Sequence, residues 1–151
     1  MACATIGKWL DRVAEFETRI EAFYAGVRDC STDNNVRFLS YYLSRHGYRL
    51  QAALAALTPS LRDHVRAAQL KRRLVFSPEL AFYAIKTPPG DIKGTPLLDA
   101  ALRYDAELAG LYRQMLGQSP DSETSTVLES LVHMEERDMI ILKKIQAMQN
   151  F

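Results

Sequence analysis

Apolar residues recur every three or four positions through four long segments of this 151-residue chain, and no segment shows the alternation of a β-strand. A helix with this spacing carries its apolar side chains along one stripe of its surface. That stripe is shielded from water only when it packs against an apolar surface of another element. The pattern predicts helices over 5–28, 32–57, 96–117 and 122–149. We therefore expect an all-α protein in which these helices bury their stripes against one another.

The lengths of the connections predict how the helices are arranged. The first and last connections are short, around 29–31 and 118–121, whereas the middle connection is long. Ser-Pro and Thr-Pro pairs, which suit the cap and first turn of a helix, begin two shorter helices predicted over 59–73 and 78–86. We predict a single domain with a hairpin over 5–57, a crossover over 58–95 and a second hairpin over 96–149.

Composition excludes several classes of protein. The chain has 19 Lys and Arg against 18 Asp and Glu, so it lacks the basic excess of a nucleic-acid-binding protein. Two cysteines are too few for a disulfide scaffold or a four-thiolate zinc site. No apolar run reaches the roughly 18 residues of a membrane span, and charges at Lys8 and Asp11 argue against a cleavable signal peptide. We expect a cytoplasmic protein with no nucleic-acid or membrane partner.

Ionisable residues interrupt the apolar stripe near the middle of each long helix. They are Glu17 on the first helix, His46 on the second, Asp105 on the third, and Glu135 and Asp138 on the fourth. One interpretation is that each side chain lies at a stripe edge and reaches water, as long polar side chains do. A buried charge without a partner is costly, however, and four helices that each place one at mid-length predict one shared site.

The two predicted hairpins repeat one pattern. An acidic residue precedes a tyrosine by seven positions at Glu17 and Tyr24, and again at Asp105 and Tyr112. In both hairpins the following helix carries two polar residues three positions apart. This internal symmetry indicates two similar hairpins that bring equivalent polar positions together.

The arrangement resembles the ferritin-like superfamily, and most closely its rubrerythrin-type domains, over about 15–55 and 96–148. That family places a Glu on helices one and three and a Glu-x-x-His motif on helices two and four. Carried over position by position, the resemblance matches these ligands to Glu17, His46, Arg49, Asp105, Glu135 and Asp138. Arg49 and Asp138 thus stand where the family has histidines. The resemblance implies a ferritin-like four-helix bundle of two antiparallel hairpins with an altered metal site.

Arg49 changes what this set of residues can bind. A guanidinium cannot deprotonate to become a metal ligand, and its fixed charge opposes a nearby divalent cation. It can instead donate a forked pair of hydrogen bonds to carboxylates. We predict a salt-bridge network of Arg49 with Glu17 and Glu135. His46 and Asp138 supplement this network, which needs no cofactor.

Two alternatives for the same residues stay open. The network holds more acids than bases, so either one carboxyl group keeps a proton or a single cation lies on the side away from Arg49. The candidate ligands for one Fe, Mn or Zn ion are Glu17, His46, Asp105, Glu135 and Asp138, with Arg49 as a built-in counter-ion. The protein would then be a metal-dependent oxidoreductase of the rubrerythrin or ferritin-like type. In the second alternative, a cavity in the bundle takes a small apolar acid whose carboxylate binds Arg49.

The crossover is unusually apolar over 74–86, where Leu80 and Tyr83 follow a run of three apolar residues. Such a segment either closes one end of the core or forms an exposed surface that contacts a second subunit or another protein partner. We predict a homodimer. Together with Arg49, this surface favours a non-catalytic ferritin-like protein that acts as a dimer or by binding a partner.

Overall fold

The computed structural model describes residues 4–83 and 85–148, which form helices joined by turns and contain no β-strand. The α-helices are α1 (Ile6–Cys30), α2 (Asn34–His46), α3 (Arg49–Ala55), α4 (Pro59–Ala67), α5 (Gly94–Leu116) and α6 (Ser122–Met148). Two 3₁₀ turns, Pro78–Ala81 and Pro89–Asp91, lie between α4 and α5. The prediction of an all-α protein is confirmed, and no described helix is long and apolar enough to cross a membrane. The predicted end of the last helix at residue 149 lies outside the described residues.

Polar side chains cap the starts of several helices. Thr5 and Thr58 each accept a hydrogen bond from the backbone N–H three residues later, at 3.2 Å. Asp33 accepts two such bonds at the start of α2, at 2.9 and 3.4 Å, and Asp121 accepts one beside the start of α6, at 2.8 Å. These side chains satisfy backbone donors that have no partner within the helix.

The prediction of one continuous helix over 32–57 is wrong, because the helix is interrupted at Gly47 and Tyr48 and forms α2 and α3 instead. The backbone N–H of Tyr48 donates to the carbonyl of Arg45, three residues back, at 3.3 Å and so leaves the α-helical pattern. Glycine favours such a break because it loses more conformational freedom than other residues when held in a helix. The break falls between His46 and Arg49, the two site residues of the second predicted helix.

The crossover contains less helix than predicted. The first short helix, α4, ends six residues early, and the second is reduced to the 3₁₀ turn Pro78–Ala81. The side-chain amides of Gln114 on α5 and of Gln118 in the turn after it hydrogen-bond the backbone of Val75 and Arg72, respectively, at 2.8–3.2 Å. These bonds satisfy backbone groups that a continued helix would have paired, so the segment lies non-helically along α5.

The helices pack as two hairpins. α1 packs against α2, α5 packs against α6, and the hairpins meet where α2 contacts α5. α4 contacts both α1 and α6. The predicted stripes form the core, with buried side chains that include Leu10, Val13, Phe16, Ile20, Leu39, Leu43, Leu98, Leu108, Leu128, Leu131 and Leu142. This packing carries the mid-helix polar residues into the interior.

Two glycines of α1 are expected to respond to a methyl group in opposite ways. A Cβ atom on Gly7 would lie 2.9 Å from the carbonyl oxygen of Arg66 in α4, whereas a Cβ atom on Gly26 would meet nothing within 4 Å. We expect Gly7→Ala to lower the free energy of unfolding by about 1–3 kcal/mol, and Gly26→Ala to raise it by about 0.5–1 kcal/mol. Urea unfolding of both variants checks this. A Gly7→Ala variant as stable as its parent would contradict the close packing of α1 on α4.

Candidate functional site

The side chain of Arg49, at the start of α3, lies between α5 and α6. Its Nε donates to both carboxylate oxygens of Glu135, at 3.1 and 3.0 Å, and its Nη2 donates to Glu135 at 2.6 Å. Nη2 also donates to Asp105 at 2.8 Å, and Nη1 donates to the backbone carbonyl of His46 at 2.6 Å. The Glu135 side chain is 0 % exposed and that of Arg49 is 13 % exposed. One guanidinium therefore links the break after α2 to both helices of the second hairpin.

The helical register explains why the two carboxylates lie inside. Asp105 precedes the buried Leu108 by three positions, and Glu135 follows the buried Leu131 by four. Residues three or four positions apart share one face of a helix, so each acid projects into the same interior as its leucine neighbour. The stripes thus place charge in the core, and Arg49 compensates it.

His46, the last residue of α2, lies beside Asp138 of α6. Its Nδ1 is 2.7 Å from Oδ1 of Asp138, and the side chains are 24 % and 5 % exposed, respectively. The ring packs against Tyr42, with ring centroids 4.4 Å apart. Within the described residues, no other donor reaches Oδ1 of Asp138. His46 forms the more solvent-accessible side of this pair.

Glu17 joins the site from α1. Its Oε1 accepts a hydrogen bond from the hydroxyl of Tyr104 at 3.2 Å, and both residues are buried. The predicted ion pair between Glu17 and Arg49 is wrong: among the described residues, Arg49 pairs with Asp105 and Glu135 instead. The fold gathers the predicted site residues but changes which carboxylates bind the guanidinium.

Asp105 and Asp138 form a buried carboxyl pair. In the described part of the chain, Oδ2 of Asp105 has no hydrogen-bond donor outside this pair, and only His46 approaches Oδ1 of Asp138. Burial, reinforced by a hydrogen bond to Asp138, raises the pKa of Asp105. Burial also disfavours charge on Asp138, but hydrogen bonds from His46 and Asp105 outweigh it and lower the pKa of Asp138. The two shifts together favour a pair that holds one proton, on the Asp105 side.

Burial governs the remaining charges as well. It raises the pKa of Glu17 to about 8, opposed by Arg49 and reinforced by Glu135. It also raises the pKa of Glu135, against the opposing effect of Arg49. For Arg49, the attraction of Glu135 and Asp105 outweighs burial and raises the pKa of the guanidinium, which stays charged. The excess of acids in the sequence is thus relieved by bound protons on the acids.

A cavity of about 30 Å³ opens onto the site. Polar side chains from both hairpins line it, among them Glu17, His46, Arg49, Asp105 and Asp138. This volume holds roughly one or two water molecules. It is too small for the apolar acid of the alternative interpretation, and the donors of Arg49 are already engaged by protein carboxylates.

Three carboxylates are close enough together to hold a cation. One oxygen from each of Asp105, Glu135 and Asp138 lies within 4.8 Å of the others. Asp105 and Glu135, however, already accept hydrogen bonds from Arg49. A dinuclear metal centre does not fit these residues, because a permanent positive charge stands among its would-be ligands. A single ion would have to compete with Arg49 and with the proton on Asp105.

One residue of the site, Tyr104, was not singled out in the sequence. It is an aromatic residue at an apolar stripe position, where packing alone accounts for it, and its ring lies 5.4 Å from that of Phe16. Its hydroxyl nevertheless binds Glu17, and burial raises the pKa of that hydroxyl. A tyrosine next to Asp105 in a buried stripe was the available signal. It could not show which acid the hydroxyl would reach.

Comparison of the chain with protein-family models, with curated proteins and with solved structures finds no match. The functional proposal therefore depends on the residues of the site, and above all on the guanidinium that lies among its carboxylates.

Proposed function

We propose that this protein is a non-catalytic ferritin-like protein in which Arg49 takes the place of the metals. It acts through its surface, as a dimer or by binding a protein partner. The observation that carries the proposal is the guanidinium of Arg49, which binds Glu135 and Asp105 at the same time. Both acids stand at positions that resemble the carboxylate ligands of the ferritin-like family.

The packing of the helices supports a ferritin-like four-helix bundle. α1 with α2, and α5 with α6, form two hairpins, and a long crossover with little helix joins them. Acidic residues from α1, α5 and α6 face one another at mid-length through Glu17, Asp105 and Glu135. Metal sites of helical bundles are built from inward-facing residues of this kind.

The charge of Arg49 supports the absence of metal-dependent catalysis. Oxygen activation needs a redox metal with open coordination positions. Arg49 instead stays charged, donates to two of the carboxylates and closes the space between them. Removing one partner of such a buried network is costly, which suits a structural role for these residues.

Elemental analysis by inductively coupled plasma mass spectrometry tests the proposal. The protein is purified without chelator or metal-affinity resin, and is then measured again after anaerobic loading with Fe²⁺ and with Mn²⁺. We expect no stoichiometric metal under either condition, because Arg49 and the proton on Asp105 compete for the same oxygens. One equivalent or more of tightly bound iron would overturn the proposal.

Two variants distinguish binding at the site from binding at the surface. Asp138→Asn removes the ionised member of the carboxyl pair, whereas Glu129→Gln removes an exposed carboxylate of the same helix, α6. Metal lost in Asp138→Asn but kept in Glu129→Gln would locate the ion at the site. Metal lost equally in both variants would indicate unspecific surface binding.

One observation favours a second candidate function. Oδ2 of Asp105 is buried without a donor outside the carboxyl pair, and Asp105 and Asp138 form a cluster of three carboxylates with Glu135. Carboxylate oxygens suit Mn²⁺ and Fe²⁺. A metal-dependent oxidoreductase with an altered set of ligands is therefore the alternative, and site-specific metal in the experiment above would favour it.

A further inference from the structure

An apolar groove, lined by none of the ionisable residues of the Arg49 site, lies between α1 and the crossover. It has a volume of about 240 Å³. Phe16, Ile20 and Phe23 line it from α1, and Phe82 lines it from the crossover. The rings of Phe23 and Phe82 pack edge to face with centroids 5.7 Å apart, so the floor of the groove is built from the core.

Apolar side chains also project beside this groove. Leu80, in the 3₁₀ turn, is 50 % exposed, and Tyr83 at the groove wall is 63 % exposed. Large apolar side chains that stand next to a preformed apolar groove are typical of a protein interaction site. The predicted contact surface over 74–86 thus combines an apolar groove with exposed apolar side chains next to it.

Two opposite charges flank the groove. Arg19 stands on the α1 side, with its guanidinium 5.2 Å from the ring centroid of Phe16, and Glu79 stands on the crossover side. Both side chains are exposed, and neither forms an ion pair with any residue in 4–83 or 85–148. The groove therefore has a solvent-exposed positive charge on one side and a solvent-exposed negative charge on the other.

We propose that this face binds a second copy of the same chain about a two-fold axis. A two-fold contact requires one patch to be complementary to itself, because residue i meets residue j and j meets i. This patch is complementary to itself in two ways. It contains both a groove and a projecting apolar side chain, Leu80, and it contains both a positive charge, Arg19, and a negative charge, Glu79. In the dimer, Leu80 of each protomer enters the groove of its partner, and Arg19 of each faces Glu79 of the other. This inference rests on the part of the proposed function in which the protein acts through its surface.

The other exposed aromatic surface lacks these properties. Phe38, Tyr41 and Tyr48 project from the first hairpin. The hydroxyl of Tyr48, however, already donates to Glu21, and Arg45 lies over the ring of Tyr41 at 5.8 Å. The hydroxyl of Tyr48 and the ring of Tyr41 thus already have charged partners within the chain.

Charge reversal tests the proposed contact, with sedimentation equilibrium as the readout. We expect the full chain to be a dimer. Arg19→Glu alone and Glu79→Arg alone should each weaken the dimer at least about tenfold, because like charges then face each other twice in every pair. Mixing the two variants should restore a dimer, since each chain then meets its opposite charge. The double variant Arg19→Glu/Glu79→Arg should dimerise on its own.

A second pair of variants tests the apolar part of the contact. Leu80→Glu should abolish the dimer, whereas Ile140→Glu, at a residue of similar exposure (54 %) on α6, should leave it intact. Glu129→Arg on α6 is the matched control for Glu79→Arg. Circular dichroism and the unfolding midpoint establish that each variant is folded.

Three results would overturn the inference. They are a monomeric parent chain, a dimer that both charge reversals leave unchanged, and single variants that stay monomeric when mixed. A chain that is metal-free and monomeric would overturn this contact and leave the role of Arg49 standing. A metal-binding chain whose dimer responds as expected would overturn the role of Arg49 and support the contact.

Discussion

Arg49→Leu is expected to lower the free energy of unfolding by about 3–5 kcal/mol at neutral pH, the range for breaking one side of a buried ion pair. Leucine fills part of the volume but donates nothing, so Glu135 and Asp105 lose their shared donor. Glu135 is fully buried and cannot turn towards water. Denaturant unfolding followed by circular dichroism measures the loss.

The pH dependence of this loss identifies its cause. Carboxyl groups left without Arg49 can take up protons, so the destabilisation of Arg49→Leu should be smaller at pH 5 than at pH 8. Arg49→Lys keeps a positive charge but lacks the forked geometry of the guanidinium. Its free energy of unfolding should therefore lie between those of the parent and of Arg49→Leu. Arg37→Leu, at an exposed arginine of α2, should change stability by no more than about 0.5 kcal/mol. An Arg49→Leu variant with parental stability would show that these residues form no buried network.

Glu17→Gln is expected to make the protein progressively more stable than its parent as the pH rises from 5 to 8. Burial raises the pKa of Glu17 to about 8 in the folded state, from an ordinary value of 4.5. Between those values the unfolded chain releases a proton that the folded chain keeps, so the parent loses stability as pH rises. The release of one proton on unfolding lowers the free energy of unfolding by up to about 1.4 kcal/mol per pH unit. Above about pH 8 both states are ionised, and the loss becomes constant.

The groups around Glu17 set the size of this effect. Tyr104 donates a hydrogen bond to it, Arg49 favours its charged form, and Glu135 disfavours it. Glutamine has nearly the same shape as glutamate and can still accept a hydrogen bond from Tyr104. The difference in the free energy of unfolding between the two proteins therefore reports the proton that the folded parent keeps on Glu17. Free energies of unfolding at several pH values give the slope, with the exposed Glu15→Gln on the same helix as control. Parallel curves for Glu17→Gln and its parent would mean that Glu17 ionises normally.

If both results hold, the site combines an obligatory cation with protonated acids. Such a site stabilises the bundle more at mildly acidic pH than at pH 8, because the folded chain keeps the proton on Glu17 there, and it offers little to a metal ion. The charge-reversal test of the contact proposed at the groove beside Leu80 is independent of this site.

The local pattern of the sequence was sufficient to predict most of the helices. α1, α5 and α6 follow from apolar spacing that continues for six or more turns. Each interval of three or four residues in such a stripe is local evidence for a helix, whatever the rest of the chain does. The break at Gly47 was missed because one glycine is compatible with a continuous helix as well as with a break. The crossover was overpredicted because its backbone partners, Gln114 and Gln118, lie 39 and 46 residues further along the chain, on α5 and in the turn after it.

What the sequence determined by itself is the inventory of the site: which helices carry Glu17, His46, Asp105, Glu135 and Asp138, and that Arg49 lies with them. The periodicity of each helix points these residues inward whatever the partner helix is. The tertiary structure alone decided that Arg49 binds Asp105 rather than Glu17, and that Asp105 shares a proton with Asp138. Those outcomes depend on the separation and rotation of neighbouring helices and on how completely each acid leaves water. No local pattern encodes these quantities, because they arise only when the stripes have packed.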